Sequence, residues 1–570
     1  MKNNYLKLVT LLLLAVLTSA VQATEFYSVT EDGDTIWYAI ISQQDKTCEV
    51  TYGQSFDSLR FKGEIIIPQE VTYESVTYTV TGIGKWSFAE YPRLTRVSIP
   101  STVTYIGDNA FDGCKNLTDV GELPKGLKSI GGYAFENVGI SSVTIPASVE
   151  DIGHAPFYGC QNLTQLMVED GNDYFCAVDN VLFDADTTKL IQYLSGLKAE
   201  SYIIPESVTK IGYYAFVSCN SLIDVTLPSS LSKLGTGAFY SDTLLASITI
   251  PASVDDISYY NFYGCTNLQE IKVENGNKNY VDEDGVLYSS DKETIVCYPA
   301  GKKDTGYVID ETCKTIGNLA FSCNRYLTNI TLPEGLETIE YGAFTKCTAL
   351  KELYLPASVK QISGGSIVRG CTSLESLTVD ANNENYISEN NVLFNKEMTT
   401  LIAFAANNDG IESYVIPETV TKLDGYAFAY ARNLRKIVIP ASVSKIGYET
   451  FLFDAAENVI DTIVCKNSEP LEFDDDIFGD YNDKAPLYNH TILVVPNGSV
   501  EAYQTTSPWS NFKNIISESE VGGINEINAD NTPASVTADD RIYDLQGRRL
   551  DMKPENGTLY IKGGKIYLGN

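Results

Sequence analysis

Residues 225–251 read VTLPSSLSKLGTGAFYSDTLLASITIP, and the parsing of this stretch decides the fold. Val225-Thr226-Leu227 and Ile248-Thr249-Ile250 alternate apolar and polar residues, the period of a half-buried strand. Each is closed by a proline, Pro228 or Pro251, which has no N–H with which to continue a ladder. Between them stand Leu231, Leu234-Gly235, Ala238-Phe239 and Leu245. The glycine is expected to allow a tight turn. Phe239 and Leu245 are expected to fill the space toward the next copy of the pattern.

Copies are plentiful. Ala-Phe recurs at Phe111, Phe135, Phe216, Phe239, Phe321, Phe344 and Phe428; Phe88, Phe157, Phe262 and Phe451 fill the same slot, and Ile367 is a degenerate version. Most neighbours lie 22 to 24 residues apart. A period of this length means stacked coils, because one coil alone cannot bury its apolar side. The reading predicts a mainly β solenoid of about a dozen coils. The tetrapeptide Pro-Ala-Ser-Val, beginning at Pro146, Pro251, Pro356 and Pro440, then marks strand exits. The first three copies are 105 residues apart, so the larger unit is a triplet of coils. A further copy at Pro533 lacks the surrounding ladder and is read as chance.

Three longer gaps hold matched insertions, NDYFCAVDNVLFDADTTKLIQY, NKNYVDEDGVLYSSDKETIVCY and NENYISENNVLFNKEMTTLIAF. Each has Val-Leu-aromatic, a polar turn, an aliphatic pair and an aromatic, which reads as a β-hairpin added to an edge of the stack. The full plan is a leader over 1–23, covering strands over 24–63, the solenoid over 64–455, a cap over 456–517, a polar linker over 518–540 and a small β tail over 541–570. The leader combines Lys2 and Lys7 with the apolar run Leu11–Leu17 and the small residues before Thr24, a Sec-type export signal too short to span a membrane.

The ladder IPxxVxxIGxxAFxxCxxL resembles the BspA-like leucine-rich repeat family of bacterial surface proteins, over roughly residues 64 to 455. The resemblance implies a leucine-rich-repeat solenoid exported to the cell surface, with adhesion to host or matrix proteins as the expected role. A glycan-capture module and a structural envelope protein are the alternatives.

Composition narrows the chemistry. A net charge of -33 opposes binding to nucleic acid and to anionic membrane. His154 and His490 are the two histidines, and neither is part of a nucleophile or metal motif. Nothing calls for catalysis, a cofactor or a metal. Cys114, Cys160, Cys219, Cys265, Cys347 and Cys371 share the slot after Ala-Phe. Stacking would allow disulfides between coils, but Val138, Asp242 and Ala431 stand in the same slot, so buried structural thiols are the preferred reading. For ligand contact the best candidates are Tyr213, Tyr259, Tyr341 and Tyr448. They recur in a slot also held by His154, Asp108, Asn318 and Thr236, which marks it as solvent-facing. The partner is expected to be a host or matrix protein, or a neutral glycan.

Overall fold

The computed structural model describes residues 24–525 apart from 31–32, 54–60, 409, 454–459, 472–476 and 479–484, together with four short strands beyond residue 541. The expected leader, 1–23, and the Pro533 copy lie outside the described residues. Two compact units are present, 1–279 and 280–570.

Each coil contributes to two narrow parallel ladders. In unit 1, Val76–Ile83, Tyr105–Ile106, Ser129–Ile130 and Asp151–Ile152 pair in turn, and after an insertion Lys189–Gln192, Lys210–Ile211, Lys233–Leu234 and Asp256–Ile257 do the same. The second ladder holds the strands read from sequence, such as Ser201–Ile203, Asp224–Thr226, Ser247–Ile250 and Glu270–Val273. Unit 2 repeats the plan, ending on Lys436–Ile439, Thr462–Cys465, Ile492–Val495 and Asn514–Ser517. Prolines fall where expected: strands end at Ile145, Ile250, Leu355 and Ile439, each directly before a Pro-Ala-Ser-Val.

The serine of that tetrapeptide has a role that the strand-exit reading did not find. Ser148, Ser253 and Ser358 each donate, at 2.6 Å, to the carbonyl of Leu127, Leu231 or Leu336 in the coil before. From the coil after, Asn172, Asn277 and Asn383 donate side-chain N–H groups to the Pro and Val carbonyls of the motif at 2.9–3.0 Å. The four letters therefore recur because they satisfy backbone groups at a fixed point of each triplet, where an unpaired buried carbonyl would be costly.

Phenylalanines form the axial core. Phe88, Phe111, Phe135 and Phe157 are buried, with successive ring centroids 5.4, 5.3 and 5.6 Å apart. Tyr193, Tyr298 and Phe404 extend the same stacks, lying 5.2–5.4 Å from Phe216, Phe321 and Phe428. Each of the three insertions thus carries a coil of its own, and the stack has more coils than the dozen counted on Ala-Phe. The signal was the closing aromatic of each matched insertion.

The insertions also sit differently from expectation. An edge hairpin would leave one face wet, yet Val181, Leu182 and Phe183 are all buried, as are Val392, Leu393 and Phe394. In unit 2 the strand Val392–Asn395 is a wall: Leu393 packs into the core that holds Phe321 and Phe344, while Val392 and Phe394 pack into the one that holds Phe428 and Phe451. Period-two alternation serves two cores at once. The strand that follows each hairpin, such as Lys189–Gln192, then heads the next parallel ladder.

Glycine after the Ile is explained by contact and not by turn conformation. A Cβ at Gly107, Gly131 or Gly153 would meet backbone atoms of the coil before at 2.7, 2.4 or 2.2 Å. The neighbouring coil passes too close for any side chain.

At the N-terminus Glu25–Val29, Thr35–Ser42 and Thr47–Thr51 form an antiparallel meander, and Thr47–Thr51 pairs with Val76–Ile83 to cover the first coil. At the other end Tyr503, Trp509 and Phe512 are buried in the last core. The helix Glu518–Asn525 occupies the start of the expected linker and packs against Ile492–Val495 and Asn514–Ser517. The tail holds a four-stranded antiparallel sheet built from Ile542–Tyr543, Arg549–Leu550, Leu559–Lys562 and Lys565–Leu568.

Candidate binding face

Two positions separate Ile-Gly from Ala-Phe in each coil, and the structure treats them differently. The first faces solvent: Tyr213, Tyr259, Tyr341 and Tyr448 are 50, 56, 37 and 42% exposed. Tyr213 and Tyr259 belong to unit 1 and are separated there by the coil of Thr236; Tyr341 and Tyr448 belong to unit 2. The second position has left-handed backbone. Gly237 and Gly342 occupy it at φ 62°, but so do Trp86 (61°), Tyr133 (55°), Tyr214 (52°), Tyr260 (64°) and Tyr426 (64°). A bulky side chain in this region costs on the order of 1–2 kcal/mol. Aromatic rings are therefore held in a slot whose backbone suits glycine.

In unit 1 these rings meet others that the sequence reading passed over. Tyr133, Tyr158 and Tyr214 stand at the corners of a triangle with sides of 5.9, 6.0 and 6.1 Å, each ring inclined 59–66° to the others. His154 joins Tyr133 edge-on at 4.8 Å and lies 6.1 Å from Tyr213. Tyr240, Tyr260, Tyr263 and Tyr259 extend the contacts, Tyr240 lying 5.7 Å from Tyr214. Tyr158, Tyr240 and Tyr263 occupy the position directly after the ladder Phe, a spacing visible in the sequence once the two slots are seen to share a face.

A carboxylate, Glu136, lies close to these rings, with two more beyond it. Asp112 and Glu136 directly follow the ladder Phe on two successive coils, and Glu90 stands two residues after Phe88 on the coil before. Burial, with Asp112 and Glu90 beside it, pushes Glu136 up to about 7. Burial, then Glu90, pushes Asp112 up to about 6. In unit 2 the corresponding ring has a cation of its own: the Arg369 guanidinium carbon lies 4.2 Å from the Tyr426 ring centre, and Nη2 is 3.0 Å from Glu449 Oε2. Tyr448 meets Tyr426 edge-on at 5.8 Å.

The outer strand face carries exposed aliphatic residues. Ile203, Val308 and Val415, each ending the first strand of the second ladder after an insertion, are 74, 68 and 63% exposed.

The six ladder cysteines are buried free thiols. Five of them donate to the Phe carbonyl of the coil before: Cys114 to Phe88 and Cys160 to Phe135 at 2.9 Å, and Cys265 to Phe239, Cys347 to Phe321 and Cys371 to Phe344 at 3.0 Å. Cys219 makes longer contacts, 3.7 Å to Val217 and 3.9 Å to Tyr193. Burial pushes Cys114 and Cys160 up to about 12. Thiolate is the reactive form, so thiol labelling of the native protein at neutral pH should spare these six, and denaturation should release all of them. Labelling of the ladder thiols before unfolding would contradict this packing. Among the described residues no group of His, Cys, Asp and Glu could hold a metal ion, and no helix is long and apolar enough to cross a membrane.

None of the curated proteins matches the chain. Solved structures that are similar include a leucine-rich repeat protein from Eubacterium ventriosum, at 24% identity over 61% of this chain and 95% of that one, with a TM-score of 0.40. A leucine rich cell surface protein from Faecalibacterium prausnitzii is 25% identical over 74% of this chain and 94% of that one, with a TM-score of 0.36. A leucine-rich repeat protein from Bacteroides capillosus is 31% identical over 24% of this chain and 94% of that one, with a TM-score of 0.20. The pattern of the BspA type leucine rich repeat region matches residues 78–177, 192–297, 301–402 and 382–475. With that repeat running through most of the coil stack, the chain belongs to the BspA-type leucine-rich repeat family.

Proposed function

We propose that this protein is an exported, non-catalytic scaffold that adheres to a host or matrix protein through its tyrosine-rich coil face. One observation carries the reading. Tyrosines recur in both inter-ladder slots, exposed in the first and set in left-handed backbone in the second, where glycine, as at Gly237 and Gly342, is the easier choice. Tyrosine offers large contact area at low entropy cost. A long repeat surface spreads such anchors without a deep pocket. Export would follow from the leader over 1–23, with a mature chain beginning at Thr24.

Replacing Tyr213, Tyr259, Tyr341 and Tyr448 together by serine tests the adhesive role. Binding to immobilised host matrix proteins should fall at least about tenfold. The half-exposed rings carry little of the core, so thermal stability should stay close to that of the parent. Binding equal to the parent's would refute the reading. The same rings would also stack on neutral sugars, and a glycan array on the same variant distinguishes glycan capture from protein adhesion.

A further inference from the structure

We propose that the Tyr133–Tyr158–Tyr214 face of unit 1, together with Glu136, binds an arginine side chain on an extended basic segment of a partner protein. The proposal rests on the adhesive reading above and names the chemistry that one part of that face would recognise.

The argument begins with the chain's own precedent. Tyr426 stands in the left-handed slot of its coil, and Arg369 covers its ring at 4.2 Å while pairing with Glu449. Aromatic face plus carboxylate is the combination that holds a guanidinium, through ring quadrupole and ion pair together. Tyr133 and Tyr214 stand in the same slot with the same backbone. Tyr158 adds a third ring about 6 Å from both. All three are half-buried, so part of each ring remains at the surface. The surroundings differ: Tyr426 has the Arg369 guanidinium over its ring, whereas Tyr133, Tyr158 and Tyr214 are faced by one another, by Tyr240 and by His154, with the Glu136 carboxylate close by. The unit 1 face thus has the rings and the carboxylate, and a ligand would supply the cation.

Charge favours the same occupant. Glu90, Asp112 and Glu136 continue from the triangle along consecutive coils, in a chain of net charge -33. Burial first, and then their mutual repulsion, raises the Asp112 and Glu136 carboxyls. A guanidinium laid beside them relieves that repulsion, and further basic residues of an extended segment would follow the acidic strip. Arginine suits the site better than lysine because its plane stacks on a ring while its N–H groups reach a carboxylate.

The test uses the full chain and two labelled decapeptides, five Arg-Gly repeats and the same sequence with neutral citrulline. At pH 8 and physiological salt the arginine peptide should bind at least about tenfold more tightly than its citrulline twin. Tyr133→Leu with Tyr214→Leu leaves the net charge untouched and should abolish most of that advantage; Tyr133→Phe with Tyr214→Phe keeps the rings and should retain it. Glu136→Gln, which removes no ring, should weaken arginine binding severalfold. Lowering the pH from 8 to 5.5 should also weaken it, as Glu136 and then Asp112 take up protons, with Glu90, Lys115 and His154 around them. Arginine-peptide binding unchanged in the leucine pair would mean attraction to diffuse negative charge alone and would overturn the site; should that pair not fold, unchanged binding by Glu136→Gln would do so. Matrix-protein binding measured on the same variants separates the two readings. Peptide binding lost with matrix binding kept upholds the cation site and detaches it from adhesion. Peptide binding unchanged with matrix binding lost overturns the cation site and leaves the adhesive face standing.

Discussion

Phe216→Ala should destabilise its neighbourhood by about 3–5 kcal/mol, the usual cost of truncating a fully buried phenylalanine. The ring is 0% exposed and lies between Tyr193 and Phe239, with centroids 5.3 and 5.0 Å away. Truncation opens a cavity and breaks two stacked contacts, each worth a further fraction of a kcal/mol. Coils depend on their neighbours, so the loss should spread along the stack and not stay at one residue. Amide hydrogen exchange measures this locally: opening free energies should drop most in the coils of Tyr193, Phe216 and Phe239. Tyr213→Ala is the control, because its half-exposed side chain lies three residues away on the other side of the backbone. Equal effects from the two variants would contradict the axial aromatic core.

The second large effect concerns Asp242, a carboxyl in the slot that the ladder thiols occupy. It is 1% exposed, its Oδ1 accepts a 2.7 Å bond from the Cys219 amide, and its Oδ2 has no hydrogen-bond partner. Burial holds this carboxyl well above the ordinary carboxylate range. A raised carboxyl binds its proton more tightly in the folded state than in the unfolded one. Its favourable contribution is therefore complete below the unfolded value of about 3.9 and is lost as pH rises through the folded value. Asp242→Asn keeps an acceptor for Cys219 and cannot ionise. It should stabilise unit 1 by about 1–3 kcal/mol at pH 8, because no proton has to be retained and no charge buried there, with the advantage shrinking toward pH 4. Asp242→Cys should give a gain of the same sign by restoring a thiol donor to the slot. Comparing variant with parent across pH cancels the contributions of Asp112 and Glu136. A variant that is less stable than the parent at pH 8 would refute this account.

Both predictions rest on positions that the sequence alone could place. The period, the strand exits, the Phe core and the thiol slot were legible because a solenoid puts each repeat position in nearly the same surroundings, so pattern and burial coincide coil after coil. Exposure at Tyr213, Tyr259, Tyr341 and Tyr448 followed from the same logic, since polar residues share their slot.

Contacts that join different repeat positions needed the tertiary structure. Tyr133, Tyr158 and Tyr214 come together only because the insertion-bearing stretch between the last two folds so that Tyr158 and Tyr214 meet, 6.0 Å apart. Arg369 reaches Tyr426 and Glu449 across another such insertion. Left-handed backbone at Tyr133 and Tyr214, and the close approach that demands Gly131 and Gly153, depend on how adjacent coils are offset. The hairpin strands were legible as strands, but the place of Val392–Asn395 as a wall between two cores was not, because alternation shows that a strand has two faces and not what covers the second. Sequence thus determined the surroundings common to every coil. Register between coils, set by backbone hydrogen bonding and the inserted hairpins, decided which side chains meet and therefore where a binding face can form.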